Sequence, residues 1–409
     1  MLEGDYSDAR ELGNWKIKKN EIRGLFLDTL AIFYAKGTVN RMKKWLIVAF
    51  LSTGLVMAKT VVIESTLPDA WPDAVLKLAA PEVVKQPWGK EEAAKKVREF
   101  LDADHSNEKK IEVLTWWSGV AERPDFLMEL AARCAKAGQI DRTLYWMQRA
   151  AREDVCDVAE IESDDEFALL VKDSRWFQIK EFLQACETKW QESSFYRQVL
   201  TLPASYDGKS PIPLVIGLHG FGSLPEDFSG ADFQRISDAQ GIAILGVSGR
   251  RALGRHAFMW TESFEKDLQH IEQAVLRCGP LLKVAPGRTV AIGFSQGGQL
   301  AAEIAAAQPN NYRGCLSMSP GSRYPSDLVG RLAASRASLS GQRYFFTWIS
   351  GEGSGPRSRA QIWRTALEKR DAAVHEYEFL GKGHQWPRNY EDYFAITLQV
   401  LLGEKKRSE

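Results

Sequence analysis

The 409-residue sequence is poor in the features on which metal sites, disulfide frameworks and nucleic-acid binding depend. It contains five cysteines and six histidines, and their spacing matches no zinc-binding pattern. Its 53 Lys and Arg residues are balanced by 53 Asp and Glu residues, and no basic stretch is interleaved with aromatic residues. The sequence therefore predicts no metal, no cofactor and no nucleic-acid partner.

Long apolar runs are also scarce, and the most prominent one lies near the N-terminus. The basic stretch 41–44 precedes the apolar run 45–56, and the small residue Ala58 comes just before Lys59. This layout is typical of a secretory signal peptide. A helix over 45–57 would be about 20 Å long, which is short for a bilayer core of roughly 30 Å. We expect cleavage after residue 58 and export to the periplasm or the medium, with an uncleaved membrane anchor as the alternative.

The expected signal peptide sets the first domain boundaries. It occupies residues 42–58, so residues 1–41 would be an upstream extension and translation would start at Met42. A helical domain over 59–190 and a second domain over 195–405 then follow. Five cysteines leave at least one thiol unpaired in an exported chain, and the sequence leaves the pairing of the others open.

The expected helical domain shows no strand pattern. Apolar residues recur three and four positions apart in five stretches: 90–103, 107–120, 123–137, 141–152 and 175–190. Residues 135–141 and the apolar residues that follow resemble part of a tetratricopeptide hairpin, in which small residues let two helices approach closely. One such unit cannot bury its own face, so a short helical array or a docked hairpin is expected. A protein partner for this domain is a hypothesis that rests on the resemblance alone.

The second domain alternates predicted strands with helices. The predicted strands are 213–218, 242–246, 289–294, 313–317, 344–349 and 374–379, and the clearest helices are 262–277, 299–307 and 355–370. This alternation predicts an α/β fold in which a mostly parallel sheet is flanked by helices. Ligands bind such sheets beyond the carboxyl ends of the strands.

A serine lies between two glycines where a predicted strand gives way to a helix. Residues 293–297 read Gly-Phe-Ser-Gln-Gly, after the strand 289–294 and before the helix 299–307. In a nucleophile elbow the turn is so sharp that side chains at the glycine positions would collide with neighbouring backbone, and the serine hydroxyl is held above the sheet. Ser295 is therefore the predicted nucleophile for attack on a carbonyl carbon.

An attacked carbonyl becomes an oxyanion, which requires hydrogen-bond donors already in place. The apolar strand 213–218 runs directly into residues 219–222, His-Gly-Phe-Gly, a loop able to present backbone N–H groups. We predict that the backbone N–H groups of Phe221 and Gln296 form the oxyanion hole.

A general base must titrate near neutral pH and reach the serine hydroxyl. His384 lies in the loop 383–387, after the strand 374–379 and before a C-terminal helix. It follows Ser295 along the chain, as the histidine follows the nucleophile in α/β-hydrolases. His384 is therefore the predicted base.

Three segments together resemble a known group of enzymes. Residues 196–222, 293–298 and 383–387 are similar to motifs of the α/β-hydrolase esterases grouped as phospholipase/carboxylesterase, feruloyl-esterase and polyhydroxyalkanoate-depolymerase relatives. The resemblance covers roughly the last half of the chain. It implies a serine hydrolase of carboxylic esters, with Ser295 as nucleophile and His384 as base.

The acid of the triad is where this sequence departs from that group. After the strand 344–349 the group has an aspartate at the place of Ser354, and a serine cannot stabilise an imidazolium by charge. Glu352, flanked by glycines, is the nearest substitute. Asp327, after the strand 313–317, is a second candidate, and the absence of any acid is the third.

The combined prediction is an exported serine esterase that acts on a small-molecule or polymer-derived ester through an acyl-enzyme. A peptidase of the same fold is one alternative. The other is a catalytically weak or inactive scaffold whose helical domain binds a partner. Four side chains are candidates to line the mouth of the site: Arg250, Arg251, Trp260 and Trp386.

Overall fold

The computed structural model describes most of the chain beyond residue 58. The described residues are 15–18, 59–65, 67, 71–121, 126–192, 195–261, 263–321, 327–335, 337–387 and 390–403. The predicted signal peptide at 42–58, and all of the predicted extension except 15–18, lie outside them. Within the described ranges, no helix has both the length and the apolar character needed to cross a membrane.

The chain forms two compact units. One comprises Met1–Thr66, Ser194–Arg251 and Phe258–Glu409, and the other comprises Leu67–Ser193 and Ala252–Ala257. The boundary between them differs from the expected one at residue 59, because residues 59–65 form a strand of the sheet in the first unit. The five cysteines all carry free, buried thiols.

Among its described residues, the helical unit contains seven α-helices. They are α1 (Lys90–Asp102), α2 (Asn107–Val120), α3 (Leu127–Lys136), α4 (Ile140–Ala150), α5 (Val158–Ser163), α6 (Ala168–Val171) and α7 (Trp176–Glu192). Each of the five stretches that the periodicity predicts to be helical overlaps one of these helices, namely α1, α2, α3, α4 and α7. The pair α3 and α4 buries Leu130 and Leu144 in a shared apolar core. The tetratricopeptide assignment of this pair stays a prediction.

In the part of the other unit that the structure describes, there are a nine-stranded sheet and six α-helices. Its strands are β1 (Trp15–Lys18), β2 (Lys59–Ser65), β3 (Arg197–Leu202), β4 (Ile212–Leu218), β5 (Ala243–Val247), β8 (Val284–Phe294), β9 (Tyr312–Met318), β10 (Arg343–Gly351) and β11 (Ala373–Lys382). Two short strands, β6 (Arg251–Ala252) and β7 (Phe258–Met259), lie between β5 and β8 in the sequence. The helices are α8 (Ala231–Gln240), α9 (Phe264–Cys278), α10 (Gln296–Ala307), α11 (Leu328–Ala334), α12 (Gly355–Glu368) and α13 (Tyr390–Leu402).

The sheet order is β1-β2-β3-β5-β4-β8-β9-β10-β11. The pairs β1–β2, β2–β3 and β3–β5 are antiparallel, and the strands from β5 to β11 pair in parallel. One apolar core, which includes Ile271, Leu300 and Trp363, packs α9, α10 and α12 against one face. A second core, which includes Phe233 and Phe394, packs α8 and α13 on the other. The predicted α/β class, a mostly parallel sheet flanked by helices, is confirmed.

Strand pairing brings the ends of the central strands level with one another. Phe294 of β8 pairs with Met318 of β9, which in turn pairs with Thr347 of β10. Because these strands are parallel, the residues that follow them meet at one edge of the sheet. Ser295, Ser319 and Glu352 lie just beyond these carboxyl ends. His219 lies just beyond the end of β4, where Leu218 pairs in parallel with Gly293 of β8.

Candidate active site

Ser295 lies in a sharp turn and has an unusual backbone conformation. It lies between β8 and α10 with φ of 54° and ψ of −118°, and its N–H donates to the carbonyl of Met318 at 2.9 Å. A Cβ at Gly293 would collide with the backbone of Gly297, and one at Gly297 would collide with the carbonyl of Leu218. The two glycines are therefore required by close backbone approach, as the elbow prediction states.

His384 lies within hydrogen-bond reach of the serine hydroxyl. Its Nε2 is 2.7 Å from Ser295 Oγ, and its side chain is 42% exposed, so the imidazole is open to substrate and water. The ring packs on Phe294 with centroids 4.9 Å apart, and Phe294 stacks on Trp386 at 5.6 Å. These two aromatic rings limit the orientations that the imidazole can take.

Glu352 is the carboxylate that the structure brings to His384. Its Oε2 lies 2.8 Å from His384 Nδ1, and its side chain is fully buried. Its other oxygen, Oε1, accepts the Ile349 N–H at 2.7 Å and the Ser319 hydroxyl at 2.8 Å. Each carboxylate oxygen therefore has a partner, as a buried charge requires.

The competing positions for the acid have other surroundings. Asp327 is exposed and directly precedes α11, and Ser354 is exposed at the start of α12. His384 Nδ1 meets Glu352 instead. Because Nδ1–H donates to Glu352, Nε2 can accept the Ser295 hydroxyl proton, which is the arrangement that a general base needs.

The loop after β4 is held by a buried, neutral histidine. His219 Nδ1–H donates to the Gly220 carbonyl at 2.6 Å, and its Nε2 accepts the Gly249 N–H at 2.7 Å. Burial lowers the pKa of His219 to about 4, so it remains neutral at physiological pH. Its role in the structure is therefore to fix the loop that carries Phe221, and it does not reach Ser295 as a base.

That loop runs directly past the nucleophile. A Cβ at Gly220 would lie 3.3 Å from the Ser295 Cβ and 3.2 Å from the Phe294 ring. On its far side, the Gly222 N–H donates to the Phe258 carbonyl at 2.9 Å. Phe221, a residue that is 39% exposed, lies between these two anchored glycines. The structure thus brings the predicted Phe221 segment and Ser295 together.

Gln296, the first residue of α10, contributes a buried side chain as well as a backbone amide. Its Oε1 accepts the Trp260 N–H at 3.0 Å and its Nε2 donates to the Trp260 carbonyl at 3.1 Å. The Trp260 indole N–H in turn donates to the His219 carbonyl at 2.9 Å. These contacts connect the start of α10 to the His219 loop. We call this chain of contacts, Gln296–Trp260–His219, the clamp.

The clamp corrects one expectation about the mouth of the site. Trp260 is fully buried and does not line the mouth, because its indole is stacked on His219 with centroids 5.4 Å apart. Arg250, in the connection between β5 and β6, and Arg251, the first residue of β6, are both exposed. Trp386 is partly buried against Phe294. No sequence motif indicated the Gln296–Trp260 pairing, which joins residues 36 positions apart.

Sequence reasoning also missed Ser319. It follows β9, is 2% exposed, and donates its hydroxyl to Glu352. The adjacent Pro320 carbonyl accepts from Arg359 at 2.6 Å, and the Gly321 N–H donates to the Ser295 carbonyl at 3.0 Å. The only available indication was its position at the end of a predicted parallel strand.

Among the residues that the structure describes, no cluster of three or more His, Cys, Asp or Glu side chains could hold a metal ion.

The chain matches no protein-family model and no curated protein. Its structure is similar to that of a Bacillus cereus carboxylesterase, at 19% identity over 53% of this chain and 99% of that chain, with a TM-score of 0.38. An S-formylglutathione hydrolase from Agrobacterium tumefaciens is 14% identical over 52% of this chain and 92% of that chain, with a TM-score of 0.42. A ferulic acid esterase from Anaeromyces mucronatus is 15% identical over 52% and 88%, with a TM-score of 0.40.

The fold can be named from the chain's own features. The serine stands on a strand-turn-helix elbow at the carboxyl edge of a mostly parallel sheet. Glu352 and then His384 follow it along the chain, and both converge on it in space. This arrangement is that of the α/β-hydrolase fold.

Proposed function

We propose that the protein is a serine hydrolase that cleaves carboxylic esters through an acyl-enzyme. The observation that carries the proposal is the hydrogen-bonded series Ser295–His384–Glu352, with distances of 2.7 and 2.8 Å. Nucleophile, base and orienting carboxylate in mutual contact form the arrangement that activates a serine for acyl transfer.

In the first half-reaction, Ser295 Oγ attacks the ester carbonyl carbon and forms a new C–O bond. Its proton moves to His384 Nε2, and the buried carboxylate of Glu352 stabilises the resulting imidazolium. The oxyanion of the tetrahedral intermediate accepts hydrogen bonds from the backbone N–H groups of Phe221 and Gln296. The positive end of the α10 dipole, which begins at Gln296, adds to this stabilisation.

Collapse of that intermediate breaks the bond to the alcohol oxygen, which takes the proton from His384. In the second half-reaction, His384 removes a proton from water as the water oxygen attacks the acyl carbon. Collapse of the second intermediate returns the proton to Ser295 Oγ and releases the carboxylic acid. The exposure of His384 supports this step, because water must reach Nε2.

The substrate class and the site of action are further parts of the proposal. We infer that the substrate is a small-molecule or polymer-derived ester that the protein meets outside the cytoplasm, since residues 41–58 have the layout of a signal peptide. The N-terminus of the protein recovered from the periplasm or the medium tests this part. Edman sequencing should read from Lys59, so the sheet of the processed protein would begin at β2 and lack β1. A start upstream of the apolar run 45–56 would contradict cleavage.

The activity is tested on a panel of p-nitrophenyl esters and peptide p-nitroanilides. Wild-type protein should hydrolyse esters, and Ser295→Ala should lower kcat by about 10⁴-fold or more. Ser350→Ala is the matched control, because Ser350 is exposed at the end of β10 and its hydroxyl contacts the Gly381 backbone at 3.4 Å.

Two outcomes would contradict the proposed ester hydrolysis. Ester turnover that survives in Ser295→Ala would place the chemistry elsewhere. Cleavage of the anilides without cleavage of the esters would favour the peptidase alternative.

The helical unit remains a candidate for binding a protein partner. If a variant that lacks this unit keeps its esterase activity, partner binding and catalysis are separate roles.

A further inference from the structure

Ser319 has a backbone conformation that serine rarely adopts. Its φ is 43°, in the left-handed region that favours glycine. It directly follows β9, and its N–H donates to the Thr347 carbonyl of the neighbouring strand at 2.7 Å. A side chain in this conformation costs folding free energy relative to glycine. We therefore expect the serine hydroxyl to make an interaction that glycine could not make.

The hydroxyl has a specific partner in Glu352. Ser319 Oγ donates to Glu352 Oε1 at 2.8 Å, across 33 residues of sequence. The same oxygen accepts the Ile349 N–H, which leaves Oε2 directed at His384 Nδ1. Two donors on one oxygen fix the rotation of the carboxylate about its last bond. The longer side chain of glutamate has one more rotatable bond than aspartate, so it gains most from this restraint.

The segment that Ser319 begins also contacts the nucleophile. Gly321 N–H donates to the Ser295 carbonyl at 3.0 Å, and the Gly321 carbonyl accepts from the Gln299 side chain. Arg359 holds the Pro320 carbonyl between them at 2.6 Å. Residues 319–321 therefore join the acid to the nucleophile through hydrogen bonds at every residue.

We propose that Ser319 is a positioning residue for the triad acid. This inference rests on the proposed function. The hydroxyl holds the Glu352 carboxylate in the one orientation that meets His384, and so allows a glutamate to serve at a place two residues before Ser354. It acts through Glu352 and does not contact the substrate.

Ser319→Gly tests this role because it removes the hydroxyl and relieves the backbone strain at the same time. A loss of activity then cannot be attributed to new strain. We expect kcat on a p-nitrophenyl ester to fall about tenfold, with KM within about twofold of wild type. Thermal stability should be equal to wild type or higher, since glycine adopts positive φ freely. Ser319→Asn should recover part of the lost kcat, because asparagine tolerates this conformation and supplies a donor.

Asp371→Gly is the matched control. Asp371 also has positive φ, 68°, but it is exposed in the turn before β11. Its replacement should give the same gain in stability with unchanged kcat. This control separates relief of strain from loss of the hydroxyl.

The outcomes distinguish the inference from the function on which it rests. If Ser319→Gly keeps wild-type kcat, or if it unfolds the protein, the positioning role is overturned while the esterase proposal stands. If wild-type protein and Ser295→Ala are equally inactive, the proposed function itself fails. Reduced kcat with wild-type KM and undiminished stability in Ser319→Gly, partly recovered in Ser319→Asn, supports the inference.

Discussion

Ser295 and Glu352 follow strands that flank β9 on either side, yet different kinds of contact hold them in place. Ser295 is fixed by backbone: a turn whose flanking glycines meet neighbouring main chain, and an N–H bonded to the Met318 carbonyl. Glu352 is fixed largely through its side chain, by bonds from the Ser319 hydroxyl and the Ile349 N–H.

This difference explains which catalytic residue can occupy a different position in the sequence without loss of the site. A nucleophile held by a local backbone turn cannot shift without losing the turn. A carboxylate held by hydrogen bonds to its oxygens can come from a neighbouring loop position, provided that donors face it there. The structure shows the second case at Glu352, with Ser354 at the position where the resemblance implies the acid.

The comparison predicts that substitutions of the two elbow glycines destabilise the fold as well as abolish the activity. In Gly297→Ala the new methyl group would collide with the Leu218 carbonyl, so the strand and helix must separate. We expect the free energy of unfolding to drop by about 3 kcal/mol or more, with activity abolished. Urea denaturation measures this. Gly355→Ala is the control, because a Cβ there meets nothing within 4 Å, and it should leave both quantities nearly unchanged.

On the acid side, activity should fall without loss of the fold. Glu352→Gln keeps the shape of the side chain but removes its charge, so the imidazolium loses its stabilisation. We expect kcat to fall about 10²- to 10⁴-fold, with a far-UV spectrum like that of wild type. Asp327→Asn, the same change at the exposed candidate, should have no effect. A large loss in Asp327→Asn together with an active Glu352→Gln would reverse the assignment.

Loss of the clamp should reduce kcat less than loss of the acid does. Gln296→Ala removes both hydrogen bonds to the Trp260 backbone and so loosens the link between α10 and the His219 loop. We expect kcat to fall about tenfold and stability to fall by about 2 kcal/mol. Gln308→Ala, at the other end of α10, is the control. If Gln296→Ala loses stability but keeps kcat, the clamp supports the fold alone.

The smallest effect on activity is expected for the buried scaffold, where the prediction concerns the dependence of stability on pH. Burial, reinforced by the nearby charge of Arg277, lowers the pKa of His270 to about 3, while an unfolded histidine titrates near 6.5. The unfolded chain therefore binds the extra proton between these values, so stability is present above pH 6.5 and is lost as pH falls. Asp267, whose pKa burial raises to about 7, works in the opposite direction.

His270→Gln isolates the histidine contribution. Glutamine can still donate to the Ser248 carbonyl, which His270 Nε2 contacts at 3.1 Å, but it does not titrate. Between pH 7 and 4.5, wild type should lose about 2–3 kcal/mol more stability than the variant. Chemical unfolding at the two pH values measures the difference. Equal losses would show that His270 is not the source of acid sensitivity.

The sequence predicted those parts of the site that local motifs specify. The elbow at Ser295, the loop carrying Phe221 and the loop carrying His384 each adjoin a recognisable strand, so their meeting at one sheet edge followed from parallel pairing. The acid stayed open between Glu352, Asp327 and none, because its side-chain partners, Ser319 and His384, come from distant segments that leave no pattern near it.

The features that the sequence did not predict, the burial of Trp260 and the position of β2, also depend on contacts between distant segments. Trp260 is buried through contacts with Gln296 and His219, and neither contact is marked by spacing in the sequence. The strand β2 was included in the helical domain, although its run of Val, Val and Ile is typical of a strand. Its partner β3 lies more than 130 residues further along the chain, so only the folded structure reveals the pairing.

The most direct test of the central claim is labelling with a fluorophosphonate, read by intact mass and peptide mapping. An activated serine forms a phosphonyl ester and releases fluoride, whereas an ordinary serine does not react. Wild-type protein should gain a single adduct located on Ser295, and Ser295→Ala should gain none. Folded wild-type protein that remains unlabelled, or an adduct that persists in Ser295→Ala, would contradict the account.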